Sequence, residues 1–194
     1  MARRDRRDTI LDAVERLVLR DGVHAVSMRL VAEEADVSLR LVQYYGHTKT
    51  ELLETALIRL SQRSLQGWQR RLSNTDDPRS ILDAFLWAAM PVNPEQRDFH
   101  RFGVSLEQLA VTDPDGIGGF YVTHIGAVID TLADALAPGL GEAVATDIAE
   151  AALAFSHGLG TLLMSGGVTP ERSRRLIDDY LDQLAATRSA LRRR

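Results

Sequence analysis

Apolar residues recur at helical spacing along almost the whole chain, and this periodicity constrains the fold more than any other feature. The first such set is Ile10, Leu11, Val14, Leu17 and Val18, and similar sets follow at residues 52–60 and 176–184. Residues three and four positions apart share one face of a helix, whereas a half-buried strand alternates with a period of two. No segment alternates convincingly at that period. The sequence therefore predicts an all-α protein of about nine helices.

Clusters of glycine, proline and polar residues mark where the predicted helices end. They lie at residues 21–22, 35–37, 46–47, 74–78, 91–94, 113–119, 138–141 and 166–170. The first three helices are predicted to be short and to lie within the first 45 residues, and the later ones to be longer. This layout predicts a small N-terminal domain at residues 1–50, joined by the fourth helix to a larger bundle at residues 51–194.

Composition excludes several kinds of chemistry. The chain has no cysteine, which excludes disulfides, thiolate metal sites and cysteine nucleophiles. His100, His124 and His157 lack the spacing of a metal-ligand motif, and no serine with a positioned histidine and aspartate can be identified. The glycines at residues 116–119 and 158–160 follow no predicted strand, so they do not indicate a dinucleotide site. We expect no metal, no cofactor and no enzymatic activity.

A membrane location is not expected. No stretch approaches the roughly 18 uninterrupted apolar residues of a membrane span. The first residues of the chain also lack the apolar run of a signal peptide. The sequence therefore predicts a cytoplasmic protein.

Charge is distributed unevenly along the chain. The net charge of -4 by itself argues against nucleic acid as a partner, because binding to phosphates requires local lysine and arginine. Residues 1–50, however, carry nine basic and eight acidic side chains, and four arginines lie within the first seven residues. That arginine run is either a solvated terminus or an arm that contacts the DNA backbone.

Residues 27–45 fit two short helices joined by a tight turn. Ser27 and Ser38 each stand where a helix N-cap is wanted. Ala32 is small enough for two helices to cross steeply, and Val42 supplies an apolar contact that holds the second helix on the first. Asp36 occupies the turn, where the backbone is left-handed and glycine is usual, but aspartate tolerates that conformation. The segment therefore predicts a helix-turn-helix.

The second of these helices exposes side chains suited to a DNA groove. With Val42 facing inward, Arg40, Gln43 and Tyr44 share the outer face. Arginine can make bidentate contacts with guanine and glutamine with adenine, while tyrosine can reach a phosphate or a thymine methyl group. The alternative is a solvated helix face that happens to carry these residues.

A capping-box pattern opens the next helix, where Thr48 is followed by Glu51 three positions later. Lys49 then lies at the positive end of the helix dipole, which is slightly unfavourable for stability. Together, the helix N-terminus and the ammonium group would bind a phosphate beside the second helix of the motif. The alternative is a lysine placed there by chance.

Taken together, these residues resemble the TetR (tetracycline-repressor-like) family of transcriptional regulators. The similarity runs from Ile10 to Leu53, through Gly22, residues 35–38 and residues 41–53. It implies a dimer that binds a palindromic operator in double-stranded DNA and responds to an unidentified small-molecule effector, most commonly as a repressor. The DNA contacts that the motif and the resemblance imply are Ser27, Arg29, Ser38, Leu39, Arg40, Gln43, Tyr44, Tyr45, Thr48 and Lys49.

Two residues depart from the family pattern. Gly46 stands where an aromatic residue is usual, and we expect it to be the left-handed residue that ends the recognition helix. Glycine in place of the aromatic residue removes a packing contact between the third and fourth helices. Asp36 places a negative charge in the turn, which would weaken DNA binding slightly unless it points away.

The C-terminal part resembles one group of TetR-type ligand domains whose relatives include choline-related repressors, on the pattern of residues 87–102 and 113–114. Candidate pocket residues are Trp68, Trp87, Met90, Phe102, Phe120, Tyr121, His124 and Phe155, with plain core as the alternative. Two stripes are candidates for the dimer interface: Phe155, Leu159, Leu162 and Leu163 on one helix, and Ile177, Tyr180, Leu181 and Leu184 on the next. The alternative interpretation is that both stripes pack in the core of their own subunit.

Two other functional classes stay open at this point. One is a small helical ligand carrier or enzyme that does not bind DNA, in which the first three helices are merely structural. The other is a helical adaptor that binds another protein through the two C-terminal stripes.

Overall fold

The computed structural model describes residues 3–72, 76–113 and 118–191, and helices make up nearly all of them. In chain order the helices are α1 (Arg3–Asp21), α2 (Met28–Glu34), α3 (Leu39–Tyr45), α4 (Lys49–Arg71), α5 (Pro78–Ala89), α6 (Pro94–Thr112), α7 (Gly119–Leu140), α8 (Glu142–Met164) and α9 (Pro170–Leu191). A single turn of 3-10 helix lies at Val23–Ala25. No strand occurs in the described part of the chain, and the all-α prediction is confirmed.

The chain forms two compact units. Unit 1 consists of the residues up to 63 together with residues 101–124, so it contains α1 to α3 and parts of α4, α6 and α7. Unit 2 consists of residues 64–100 and those from 125 onward, so it contains α5, α8 and α9. The predicted division into domains at residue 50 stays a prediction.

Unit 1 is built on the inner face of α1, which packs against α2, while α2 packs against α3. Ile10, Val14 and Leu17 on α1 and Val42 on α3 are fully buried, and each contributes about 1.5–3 kcal/mol relative to an exposed position. The prediction that α1 is short was wrong, because the helix spans 19 residues. Arginine is a good helix former and lets the charged segment before Ile10 continue the helix.

Unit 2 is organised around α5, which packs against both α8 and α9. Asp77 caps α5 by accepting a hydrogen bond from the N–H of Ser80 at 3.0 Å, and Pro78 occupies the first turn, where its missing N–H costs nothing. The buried face of the helix includes Leu86, and Phe85 meets Trp68 edge to face at 5.9 Å.

α7 continues through Pro138 and ends at Leu140, inside the break predicted at residues 138–141. The helix is followed by Gly141, whose φ of 81° suits glycine and whose N–H bonds to the carbonyl of Ala137. Within the described residues, α7 is also the one helix long and apolar enough to cross a membrane by length and composition. Length and composition alone are weak evidence for a span, because the core helix of a soluble protein meets the same criteria. Leu132 and Leu136 of α7 lie in the core of unit 2.

Candidate nucleic-acid interface

Both predicted N-caps are present at the helix-turn-helix. The hydroxyl oxygen of Ser27 accepts a hydrogen bond from the N–H of Leu30 at 3.3 Å, and that of Ser38 accepts from Leu41 at 3.2 Å. Each cap satisfies one of the orphan donors at a helix start, which is typically worth about 1 kcal/mol. Each of these helices has only seven residues, so capping and tertiary packing, more than propensity, hold them in place.

The turn between α2 and α3 has the backbone that the sequence predicted. Asp36 has a φ of 51°, in the left-handed region that aspartate tolerates. The N–H of Val37 bonds to the carbonyl of Ala32 at 3.0 Å, which closes the turn. Ala32 and Val42 are buried, so the small residue and the apolar residue both lie on the inner side of the motif.

α3 presents the expected outer face. Arg40 and Gln43 are exposed, Tyr44 is 60% exposed, and Val42 beneath them is fully buried. The ring of Tyr45 is half-buried and lies perpendicular to that of Tyr44 at 5.2 Å between centroids, which steadies Tyr44. Three groups able to contact bases or phosphates therefore lie on one accessible surface.

Arg29 joins this surface from α2. A groove of about 530 Å³ is lined by Arg29, Ser38 and Leu39, and also by Glu33 and Asp36. The groove brings together three of the predicted contact residues. It also shows that two carboxylates lie on the same side, so Arg29 meets acidic neighbours there.

The connection between α3 and α4 corrects the prediction for Gly46. This residue ends α3 with φ -157° and ψ 119°, an extended backbone that any residue adopts, so it is not a left-handed cap. Its lack of a side chain is needed for space: a Cβ atom there would lie 2.5 Å from Cδ2 and 2.8 Å from Cγ of Leu52. Leu52 is buried and takes up the room that a larger residue at position 46 would fill.

Thr48 and Glu51 form a modified capping box at the start of α4. The N–H of Glu51 donates to the hydroxyl of Thr48 at 3.1 Å, as predicted. The return bond differs, because Glu51 accepts from the N–H of His47 at 2.7 Å and not from that of Thr48. Glu51 therefore holds the backbone at His47, one residue before the N-cap residue that the capping-box pattern uses.

Lys49 is held beside this cap. Its ammonium group donates to the carbonyl of His24 at 3.4 Å, and partial burial lowers the pKa of Lys49. An anion next to the ammonium would oppose that shift. The lysine is thus positioned at the helix N-terminus, with the carbonyl of His24 beside its ammonium group and the exposed Thr48 before it in the chain.

Ion pairs that sequence reasoning missed hold these elements together. Arg59 on α4 is mostly buried and contacts Asp12 at 2.6 Å and Glu15 at 2.5 Å on α1. Glu34 at the end of α2 accepts from Arg16 at 2.7 Å. The acidic residues on α1 recur at helical spacing, which was a visible signal, but their partner lies more than 40 positions away and no local pattern names it.

The predicted pocket residues are divided between the two units. In unit 1, Phe102 is fully buried and Phe120, Tyr121 and His124 are half-buried. The ring of His124 lies 2.7 Å from the hydroxyl of Ser61. Burial lowers the pKa of His124, while burial and the charge of Glu107 raise the pKa of Tyr121 to about 12.

The other four pocket candidates belong to unit 2. Trp68 and Met90 are buried in its core. Trp87 is half-buried, with the guanidinium of Arg174 lying 5.1 Å from its ring centroid. Phe155 stacks on Tyr180 at 4.4 Å.

The two predicted dimer stripes are only partly accessible. Leu159, Ile177 and Leu181 are buried in the core of unit 2, which is the alternative that the sequence left open for these stripes. Leu162 is 49% exposed. The remaining members are half-buried: Phe155, Leu163, Tyr180 and Leu184. The small residues Ala151, Ala154 and Gly158 of α8 are exposed at the helical spacing of Leu162.

Two family models match the chain. Residues 10–56 match the tetR family of bacterial regulatory proteins, and residues 78–186 match the C-terminal domain of BetI-type transcriptional repressors.

Curated relatives match over shorter stretches. The HTH-type nicotine-responsive transcriptional repressor HdnoR of Paenarthrobacter nicotinovorans is 37% identical over 90 residues, covering 44% of this chain and 46% of that protein. The HTH-type transcriptional repressor KstR of Rhodococcus jostii is 44% identical over 62 residues, covering 32% of this chain and 29% of that protein. The alignments thus span less than half the length of these relatives.

Solved structures share the fold over nearly the full length. A TetR-family transcriptional regulator from a Rhodococcus species superposes with a TM-score of 0.79 and 22% identity, covering 92% of this chain and 97% of that one. A transcriptional regulator from Saccharomonospora viridis in complex with choline has a TM-score of 0.76 and 22% identity, with 93% and 97% covered. At these identities the likeness shows the fold alone.

We expect Asp36→Ala to lower the free energy of unfolding by about 1 kcal/mol, because alanine cannot adopt the left-handed turn without strain. Asp36→Gly is the matched control and should be no less stable than the parent chain, since glycine adopts this backbone freely. Urea unfolding followed by circular dichroism measures both changes. Equal stability of the alanine and glycine variants would contradict the role assigned to the turn.

Gly46→Ala should destabilise the chain by about 1–3 kcal/mol, because the added methyl group collides with Leu52 in a packed site. Leu52→Ala alone should also destabilise, by creating a cavity. The double variant should be more stable than the sum of the two losses implies, since the new methyl group enters the vacated space. Additive losses in thermal unfolding would show that position 46 is not limited by Leu52.

Proposed function

Because the chain belongs to the TetR family of bacterial transcriptional regulators, we propose that it is a ligand-responsive repressor that binds a palindromic operator in double-stranded DNA as a homodimer. The observation that carries this proposal is the exposed face of α3, with Arg40, Gln43 and Tyr44 held outward by a capped turn. A protein with this role acts on DNA in the cytoplasm.

The contacts divide by chemistry. Arg40 and Gln43 lie on the recognition helix and can read base edges in a major groove. Thr48 and Lys49 lie at the N-terminus of α4, where backbone N–H groups and the ammonium group suit a phosphate. The phosphate contacts set the register of the protein on the duplex, and the contacts to base edges select the DNA sequence.

A homodimer follows from the reach of one such helix. Seven residues read only a few base pairs, and two copies about 34–36 Å apart would read successive turns of a palindrome. We place the interface on the exposed face of α8, where Ala151, Ala154, Gly158 and Leu162 recur at helical spacing. Small residues there allow two helices to approach closely about a two-fold axis.

The effector is proposed to act through α4. Ser61 lies on this helix and His124 on α7, and their 2.7 Å contact belongs to unit 1. Burial lowers the pKa of His124, so its neutral ring offers one donor and one acceptor at pH 7. A ligand that hydrogen-bonds to this pair would act on the helix whose first residue is Lys49, and it would shift the protein toward the state it binds better.

The chemical class of the effector is suggested by the relatives. HdnoR is named as nicotine-responsive, and the Saccharomonospora viridis structure contains choline. Both are small organic amine or ammonium compounds, so this class is the first to test. The named relatives are repressors, which favours regulation over the ligand-carrier or enzyme alternative.

Replacing Arg40 or Lys49 with alanine should separate the two kinds of contact. Lys49→Ala should weaken binding to all duplexes alike and lower the salt slope of log K by about one for each subunit. Arg40→Ala should cost about 1–3 kcal/mol per contact and relax the preference at particular base pairs. Fluorescence anisotropy with an operator selected from a random DNA pool and with a scrambled duplex measures both. An unchanged salt slope would remove Lys49 from the phosphate contacts, and a uniform loss would make Arg40 a backbone contact.

Ala154→Trp should weaken dimerisation by at least about tenfold, because an indole at the crossing point of two α8 helices forces them apart. Ala127→Trp is the matched control, since it makes the same change at an exposed alanine of α7. Sedimentation velocity at several concentrations gives the dimer fraction, and circular dichroism checks the fold. An Ala154→Trp protein that dimerises like the parent chain would place the interface elsewhere.

A further inference from the structure

Two side chains of α1 hold the C-terminus of α2. Glu34 is the last residue of α2, and both of its carboxylate oxygens accept hydrogen bonds: Oε1 from Nε of Arg16 at 2.7 Å and Oε2 from Nη1 of Arg20 at 3.0 Å. Arg16 also donates to the main-chain carbonyl of Glu34 at 3.2 Å, a group that has no partner inside its own helix. We call these three hydrogen bonds the Glu34 clamp.

The clamp differs from an ordinary surface ion pair, which is usually worth little. The side chain of Glu34 is only 20% exposed, and its hydrogen bonds to Arg16 and Arg20 lower its pKa, so the carboxylate is ionised at neutral pH. α2 has no basic residue in its own last turn. The two guanidinium groups therefore supply the positive charge that a helix C-terminus favours.

The helix end that carries the two arginines is itself held. Arg16 and Arg20 lie one turn apart on α1 and share a face, and between them Leu17 is buried in unit 1. Arg101 of α6 donates to the carbonyl of Leu19 at 2.7 Å. The clamp therefore joins α2 to a part of α1 that is fixed by core packing and by a second helix.

We propose that Glu34 is a positioning residue for sequence recognition: the clamp fixes the C-terminus of α2 and with it the direction of the recognition helix α3. The inference rests on the proposed function. Glu34 precedes Asp36 by two positions and the N-cap Ser38 by four. A shift at Glu34 therefore passes through the tight turn into the start of α3.

Contacts to base edges and contacts to phosphates would respond differently to loss of the clamp. A bidentate contact between a side chain and a base needs both hydrogen bonds in line, so a tilt of about 10–20° is enough to weaken it. A phosphate contact depends mainly on charge and carries no sequence information. Burial of Ala32 and Val42 would still hold the two helices together. Loss of the clamp should therefore lower the preference for the operator more than the affinity for DNA in general.

The test measures a preference ratio, which is Kd for a scrambled duplex divided by Kd for the operator that the parent chain selects from a random DNA pool. Fluorescence anisotropy with the full chain gives both constants. Glu34→Gln keeps the size of the side chain and removes its charge, and it should lower the ratio about tenfold, the cost of about one bidentate base contact. Arg16→Lys keeps the positive charge but loses the directed pair of hydrogen bonds, so it should also lower the ratio.

Glu33→Gln is the matched control, because it removes the same charge from the neighbouring, exposed position of α2. It should change the affinity for both duplexes by the same factor and leave the ratio unchanged. A double-variant cycle tests the pairing: Arg16→Gln together with Glu34→Gln should lower the ratio no further than either change alone. Circular dichroism checks the fold of each variant, and if Glu34→Gln does not fold, Arg16→Lys decides the question.

The outcomes separate the inference from the function on which it rests. A parent-like ratio in folded Glu34→Gln, or an equal fall of the ratio in Glu33→Gln, would overturn the inference and leave the proposed function intact. Independent losses in the double variant would also overturn it, since the two side chains would then act separately. If the parent chain selected no operator and bound the scrambled duplex without salt dependence, the proposed DNA-binding function would fail together with the inference.

Discussion

The tight turn at Asp36 is the constraint on which the rest of the proposed interface depends. Two helices of seven residues each cannot hold their own shape in water. They are fixed by a left-handed residue, by two serine caps, and by the burial of Ala32 and Val42. Burying Val42 is what turns Arg40 and Gln43 outward, so the same packing that stabilises the motif creates its accessible face.

α4 links this motif to the remainder of unit 1. It begins at Lys49 beside the recognition helix, binds α1 through the ion pairs of Arg59, and carries Ser61 against His124. Ser61 follows Lys49 by twelve positions, which is about 18 Å along one helix. A disturbance at Ser61 and a phosphate at Lys49 would therefore act on a single element, which is the physical basis of the coupling proposed between an effector and DNA affinity.

Much of the motif was predictable because its signals are local. N-caps, the turn residue and the outer face of α3 follow from residue types at fixed spacing. Features set by distant partners were not predictable. Position 46 has to be glycine because a side chain there would collide with Leu52, and Arg59 pairs with carboxylates of another helix. Apolar periodicity also does not identify the neighbour that covers a stripe, so the dimer candidates Ile177 and Leu181 proved to be buried in unit 2.

The most direct test is selection of bound duplexes from a random DNA pool at two salt concentrations, using dimeric, ligand-free protein. We expect a palindromic motif whose half-sites lie about one or two helical turns apart. We also expect binding to that motif to weaken steeply as salt rises. Absence of any enriched sequence at either salt concentration would contradict it.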